Sequence, residues 1–251
     1  IDILWFDFSN STSRPGYEHI AGKGKDDWQS EKLIKKVRDL QPEIILNDRL
    51  EVGGDINTPE QYQPNDWVKV NGKPVVWEAC QTFSGAWGYH RDESSWKSPE
   101  QLVQMIVNTV SCGGNLLMNV GPTARGEFDS RALAALRIYG EWLHIHGRSI
   151  YGCTQSKFTP PADCLFTQNG KRLYLHVFNW PFKHIHMNGL AGKIKYSQLL
   201  NDGSEIPFTE TKKDDMPHTS TAVRQESDSV MLTLPVIKPD VIVPVVEIFL
   251  K

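Results

Sequence analysis

The sequence predicts an α/β fold: the strand-and-helix units of a (β/α)8-like TIM barrel, of which only the second half is present, followed by a small antiparallel β-sandwich. Three observations carry this. Short apolar runs alternate with segments of helical period as far as Ile150, and polar residues gather where the apolar runs end. Beyond Ile150, short alternating segments are separated by Gly, Asn, Asp and Pro clusters, the pattern of antiparallel strands. The expected domains are residues 1–152, the barrel half, and 153–251, the sandwich, with the junction between Gly147 and Thr159.

The first element is the run Ile1 to Asp7, apolar apart from Asp2 until it ends on a carboxylate, which reads as a strand covered on both faces. A Ser-, Arg-, Pro- and Gly-rich loop follows to Asp26. A helix is expected from Asp27 to Leu40, where Leu33, Ile34 and Val37 recur at helical spacing before Gln41 and Pro42. Ile44 to Leu46 forms a strand running into Asn47, Asp48 and Arg49, and Val75 to Trp77 forms another running into Glu78. A helix beginning near Ser98 places Leu102, Met105, Ile106 and Val110 on one face. Asn115 to Val120 is a further strand, and a long helix covers Ser130 to His146. These amount to about four strand-and-loop units, whereas a complete barrel has eight. Either a preceding barrel half completes the fold or the barrel reading fails.

Composition excludes several classes. Of 251 residues, 39% are hydrophobic and 23% charged, which is ordinary globular usage. A net charge of -3 with no basic stripe argues against nucleic acid as a partner. No apolar run reaches the roughly 18 residues of a membrane span, so no membrane partner is expected. The four cysteines, Cys80, Cys112, Cys153 and Cys164, contain no CxxC pair, which leaves free thiols and bridges open and a zinc site unsupported. His144 and His146 diverge on a helix, and His184 and His186 share a strand face without a third ligand. No metal or cofactor is expected. Gly113 and Gly114 match no phosphate-binding fingerprint and read as a tight turn. Asn10, Ser11 and Thr12 form a glycosylation acceptor that matters only in a secreted eukaryotic protein.

Five residues are candidates for chemistry. Asp7 ends a rigid apolar strand beside Trp5 and Phe6, a good placement for a nucleophile, although a turn or capping aspartate fits the segment equally. Arg49 suits sugar hydroxyls or a carboxylate partner, although the segment alone favours a surface pair with Asp48. Glu60, in a Gly-, Asp- and Asn-rich loop, and Glu78, after Trp77, are competing proton donors. Trp87, in Ala86-Trp87-Gly88-Tyr89, offers a ring to the apolar face of a sugar or simply anchors its loop.

Five segments together resemble glycoside hydrolase family 29, the α-L-fucosidases. They are Leu4-Trp5-Phe6-Asp7, Asn47-Asp48-Arg49, Thr58-Pro59-Glu60, Trp77-Glu78 with Trp87-Gly88-Tyr89, and Gly113 through Pro122. The resemblance implies Asp7 as nucleophile, Glu60 as general acid with Glu78 in reserve, and Arg49, Trp5, Trp87 and Glu78 around the sugar. It implies fucosylated glycans or oligosaccharides as partners. It also implies that the preceding barrel half, with its histidine cluster, or a homo-oligomer completes the pocket. A non-catalytic fucose-binding protein and a barrel hydrolase for another sugar are the alternatives. The sequence does not fix the compartment; secretion or a periplasmic location is the expectation.

Overall fold

The parallel part of the molecule is a wall of five chain segments pairing in sequence order. The computed structural model describes residues 1–7, 9, 23–210 and 228–251; Asn10 and most of the loop after Asp7 lie outside them. Strand β1 (Ile3–Leu4) pairs in parallel with β2 (Ile45–Leu46), Ile3 opposite Ile45. Parallel bridges then join Asn47 to Ile56, Asn57 to Trp77 and Glu60 to Cys80. Strand β5 (Glu78–Thr82) pairs in parallel with β6 (Asn115–Asn119), Glu78 opposite Asn115. A short hairpin, β3 (Lys69–Val70) and β4 (Lys73–Pro74), sits in the connection before β5.

Three of these placements differ from the sequence expectation. The opening run is paired only over Ile3–Leu4, and Ile3 is 44% exposed. Among the described residues β1 has a neighbour along one edge alone, and the exposed Ile3 shows that one of its faces lacks the cover its apolarity suggests. The strand expected at Val75 to Trp77 starts at Glu78 instead, because Val75 and Trp77 are occupied by Val68 and Asn57. The segment Ile56 to Glu60 joins the wall although Asn57, Thr58 and Pro59 give it no strand-like alternation.

Helix α1 (Ser30–Leu40) begins three residues later than expected, since Gly24 donates to the Asp27 carboxylate and closes a turn there. Helix α2 (Pro99–Ser111) starts where Ser98 accepts from the Gln101 amide and the Gln101 side chain accepts from the Ser98 N–H, a reciprocal cap with proline at the first helical position. Its buried stripe is broader than expected: Leu102 packs towards the wall with Phe83, while Val103, Val107 and Val110 pack towards the antiparallel strands beyond Thr154. Helix α3 (Ser130–His146) is capped by Asp129 and passes into a 3-10 turn, Gly147–Ser149. Gly113 has φ +74, and a Cβ on Gly114 would lie 2.3 Å from the Trp77 ring, so this glycine pair makes a tight turn against tryptophan.

From Thr154 onward all pairing is antiparallel. One sheet orders β11 (Ile194–Leu199), β14 (Val245–Leu250), β9 (Arg172–Val177), β8 (Cys164–Asn169) and β7 (Thr154–Gln155). The other orders β10 (His184–Asn188), β13 (Ser229–Thr233) and β12 (Phe208–Glu210). Their facing sides share one apolar core that includes Leu173, Leu175, Val230, Leu232 and Ile248. A separate apolar layer joins the two parts: Val103, Val107, Trp142 and Ile150 pack with Tyr174, Leu200, Val243 and Val245. All four cysteines are free thiols. Among the described residues no helix is long and apolar enough to cross a membrane.

Candidate active site

The tripeptide Asn47-Asp48-Arg49 leaves β2 and ties three segments together. The buried Asn47 amide donates to the Phe6 carbonyl at 2.8 Å and accepts from the Phe6 N–H at 3.0 Å, which fixes the backbone one residue before Asp7. Asp48 accepts from the Thr58 N–H and hydroxyl at 3.1 Å and 2.7 Å. Arg49 donates to the Thr58 hydroxyl and carbonyl at 3.0 Å and 3.1 Å. Asp48 and Arg49 therefore both grip Thr58, and the surface pair between them does not form. A Cβ on Gly54 would come within 2.3 Å of the Asn47 carbonyl, so a glycine is required where the chain folds back under the tripeptide.

The remaining nitrogen of the guanidinium meets two carboxylates. Arg49 Nη1 lies 3.1 Å from Asp7 Oδ1 and 2.8 Å from Glu60 Oε2. Arg49 is largely buried, with 18% of its side chain exposed, whereas Asp7 and Glu60 are open to solvent at 53% and 43%. The cation thus sits beneath two accessible carboxylates. Against the cost of burial, the bonds to Glu60 and Asp7 carry the guanidinium above its ordinary value, so it is a permanent positive charge. Its other face lies over the Trp5 ring, 4.9 Å from the centroid.

Glu60 is held more firmly than a mobile loop carboxyl. Cys80 N–H donates to the Pro59 carbonyl at 2.9 Å, and Gln61 N–H donates to the Cys80 carbonyl at 3.0 Å, so the backbone on both sides of Glu60 is bonded to β5. Glu78 accepts from Trp5 Nε1 at 3.3 Å, and burial, opposed by that bond, pushes its carboxyl above the ordinary value. Cys80 lies among these charges, a neighbour that the sequence did not single out. Burial, opposed by Arg49, pushes its thiol up to about 11, so it stays protonated and is no nucleophile.

Trp5, Asp7, Arg49, Glu60 and Glu78 are thereby brought into one network. Trp87 stands outside it: its carbonyl accepts from Asn119 at the end of β6, at 2.5 Å, and its ring is largely exposed. Gly121 holds that loop close, since a Cβ there would lie 2.6 Å from the Gly88–Tyr89 peptide. The sequence missed Asn47 and Thr58 as positioning groups. Asn47 ends an apolar run as Asp7 does, and that shared placement was the available signal. Among the described residues no group of three or more His, Cys, Asp or Glu is arranged to hold a metal ion.

A family model described as alpha-L-fucosidase matches residues 1–148. The chain belongs to the alpha-L-fucosidase family. The plasma alpha-L-fucosidase of Homo sapiens is 34% identical over 152 residues, covering 55% of this chain and 32% of that protein. Alpha-L-fucosidase isoenzyme 1 from Paenibacillus thiaminolyticus has a TM-score of 0.84 at 33% identity, covering 100% of this chain and 58% of its own. The Thermotoga maritima alpha-fucosidase in complex with a mechanism-based inhibitor has a TM-score of 0.72 at 26% identity, covering 99% and 52%. The chain spans about a third of the length of the human plasma relative.

Proposed function

We propose that this chain supplies the catalytic carboxylates of a retaining α-L-fucosidase, Asp7 as nucleophile and Glu60 as acid and base, and that its parallel wall is the second half of a (β/α)8 barrel, residues 1–152, with the sandwich from 153 to 251. One observation carries the assignment. Because Arg49 Nη1 touches both carboxylates at 3.1 Å and 2.8 Å, the facing oxygens are no more than the sum of those distances apart, roughly 6 Å. Retaining glycosidases hold their carboxyl groups about 5 to 5.5 Å apart, and inverting enzymes about 6.5 to 9.5 Å. That upper bound on the facing oxygens lies below the inverting range and accommodates the retaining one.

In the first step an Asp7 oxygen attacks the anomeric carbon, the bond to the leaving oxygen breaks, and Glu60 gives that oxygen its proton. In the second step Glu60 takes a proton from water, the water oxygen bonds to the same carbon, and the ester to Asp7 breaks. Two inversions give net retention. Arg49 stabilises the Asp7 carboxylate as attacking and as departing group. Trp5, Trp87, Arg49 and Glu78 are proposed to contact the sugar. The mechanism-based inhibitor bound to the Thermotoga relative supports a reaction with a reactive intermediate in this family.

A second reading gives the proton transfer to Glu78. It is favoured by burial, which holds that carboxyl towards its protonated form with no arginine bonded to it among the described residues, whereas Glu60 is bonded to Arg49. Kinetics of the full-length protein with an aryl α-L-fucoside separate the readings. Asp7→Ala is expected to lower kcat by about 10³-fold or more. Glu60→Ala is expected to lower it by about 10² to 10⁴, most for poor leaving groups, with azide restoring turnover. Azide rescue in Glu78→Ala instead would transfer the role, and unchanged turnover in Asp7→Ala would end the nucleophile assignment. Fucose binding without turnover in the unaltered protein, or faster cleavage of aryl galactosides, would replace the fucosidase reading altogether.

A further inference from the structure

Between the parallel wall and the sandwich runs a groove of about 690 Å³ that the proposed chemistry does not use. We infer that it is a second, non-catalytic binding site for a neutral oligosaccharide. Pockets of several hundred Å³ at domain junctions are the usual places for small ligands, and the lining of this one is chemically unusual. Six of its side chains are primary amides: Gln61, Gln63, Gln81, Gln101, Gln104 and Asn108. A primary amide offers two donors and an acceptor on one flat group, the set that adjacent sugar hydroxyls satisfy.

Several of these amides are already oriented. Gln61 Nε2 donates to the Thr82 hydroxyl at 3.1 Å, Gln81 Nε2 donates to the Tyr62 carbonyl at 3.1 Å, and Gln101 Oε1 caps the Ser98 N–H at 2.8 Å. Each internal bond fixes a rotamer and uses one of the polar positions, which leaves the rest for an occupant at little entropic cost. Asn108 Oδ1 is buried in the lining without a hydrogen-bond partner among the described residues, a condition that costs free energy unless a donor reaches it.

Charge selects against anionic ligands. Among the described residues Lys97 is the one cation in the lining, and its ammonium is spent on the Thr82 and Ser84 carbonyls at 2.6 Å and 3.3 Å. Asp163 adds a negative charge on the sandwich side. The sandwich also contributes Phe178 and Leu165, opposite Met105 of α2, so the groove has an apolar side as well as its amides. A pyranose presents the same two surfaces, a C–H face and a ring of hydroxyls. Gln61 follows Glu60 directly, so the groove starts one residue beyond a carboxylate of the network.

The test uses the full-length protein and fucose-free probes, so its outcome is independent of the fucosidase reading. Lacto-N-tetraose, cellotetraose and mannotetraose are titrated calorimetrically into the unaltered protein, Asp7→Ala, Gln63→Ala with Gln104→Ala, and Gln104→Arg. Gln63 and Gln104 are exposed and Gln104 is on a helix face that tolerates arginine, so folding is retained. At least one tetrasaccharide is expected to bind, equally well to Asp7→Ala, about tenfold more weakly to the double alanine variant and not measurably to Gln104→Arg. Failure of all three probes to bind the unaltered protein, binding that survives both groove changes, or binding lost in Asp7→Ala would each overturn the assignment.

Discussion

The sandwich and the parallel wall use similar apolar residues but are covered in opposite ways. In the sandwich, Leu173, Leu175, Val230, Leu232 and Ile248 face one another across two sheets and are wholly buried. In the wall, Ile3, Ile45 and Leu117 are substantially exposed. These residues belong to the face that carries the network: Ile3 precedes Trp5 and Asp7 at strand spacing, and Leu117 is in register with Cys80. The wall's other side is packed against α2, through Leu102 and Met105 near Phe83. A parallel sheet needs cover on both faces, and here the uncovered face is the one bearing the carboxylates. Packing is concentrated on the helix side and in the sandwich, and the proposed chemistry on the side bearing the carboxylates.

If that division is real, damage to the shared apolar layer should unfold the molecule while damage near the carboxylates should chiefly impair chemistry. Trp142 is the centre of the layer and donates from Nε1 to the Val243 carbonyl at 3.2 Å. Trp142→Ala is expected to cost about 3 to 5 kcal/mol, read as a lowered urea midpoint in both near- and far-ultraviolet circular dichroism. Unfolding of the sandwich alone, with the wall's signal unchanged, would show that the layer does not couple the two parts. Asn47→Ala is the sharper case, because Asn47 is buried yet serves Asp7. Losing both bonds to Phe6 should cost about 1 to 3 kcal/mol. A displaced Asp7 should also lower kcat by about 10²-fold with KM little changed. A stability loss without the kcat effect would make Asn47 merely structural.

The sequence made the architecture legible wherever one element has one environment. Helix α3 occupies Ser130–His146 as expected, and β10 alternates, with Ile185 and Met187 buried between the exposed His184, His186 and Asn188. Legibility failed where tertiary contacts override local pattern. Ile56 to Glu60 has a proline and no alternation, and only Asn47, Trp77 and Cys80 on either side make it part of the wall. The stripe of α2 was underestimated because the helix serves two layers, which adds Val103 and Val107 to the face expected from Leu102 and Val110. In the network, Asp7, Arg49 and Glu60 were nameable from the family's motifs. That Arg49 bridges both carboxylates through one nitrogen depends on Thr58 holding the guanidinium, which no spacing in the sequence discloses.

The smallest expected effect tests the covered region through pH. His146 and His176 are completely buried beside Trp142, with His146 stacked on it at 4.9 Å. His146 Nδ1 lies 3.2 Å from the Trp142 carbonyl, so that nitrogen carries the proton and Nε2 is a bare lone pair without a partner among the described residues. Thr167 donates its hydroxyl to the Ser149 carbonyl, so at His176 Nε2, 2.9 Å away, it accepts, and His176 Nδ1 is the lone pair left over. The nearby Cys153 thiol is neutral, since burial pushes it up to about 11, and Glu247 on β14 is already paired with Arg148 and Arg172. Among the described residues no anion is therefore placed to stabilise a second proton on either ring. Burial accordingly lowers His146 to about 4 and His176 to about 3, with the neighbouring histidine adding to the latter. Between the ordinary value of about 6.5 and those lowered values, the unfolded chain binds protons that the folded chain refuses, so stability falls as pH falls through that window. From about pH 7.5 to pH 5 the loss should be about 1 to 2 kcal/mol per histidine, measured from urea midpoints. His176→Gln keeps a donor for Thr167 and removes the titration, so it should flatten the slope by about half. An unaltered slope in that variant would mean that the acid sensitivity resides in the exposed carboxylates of the other face.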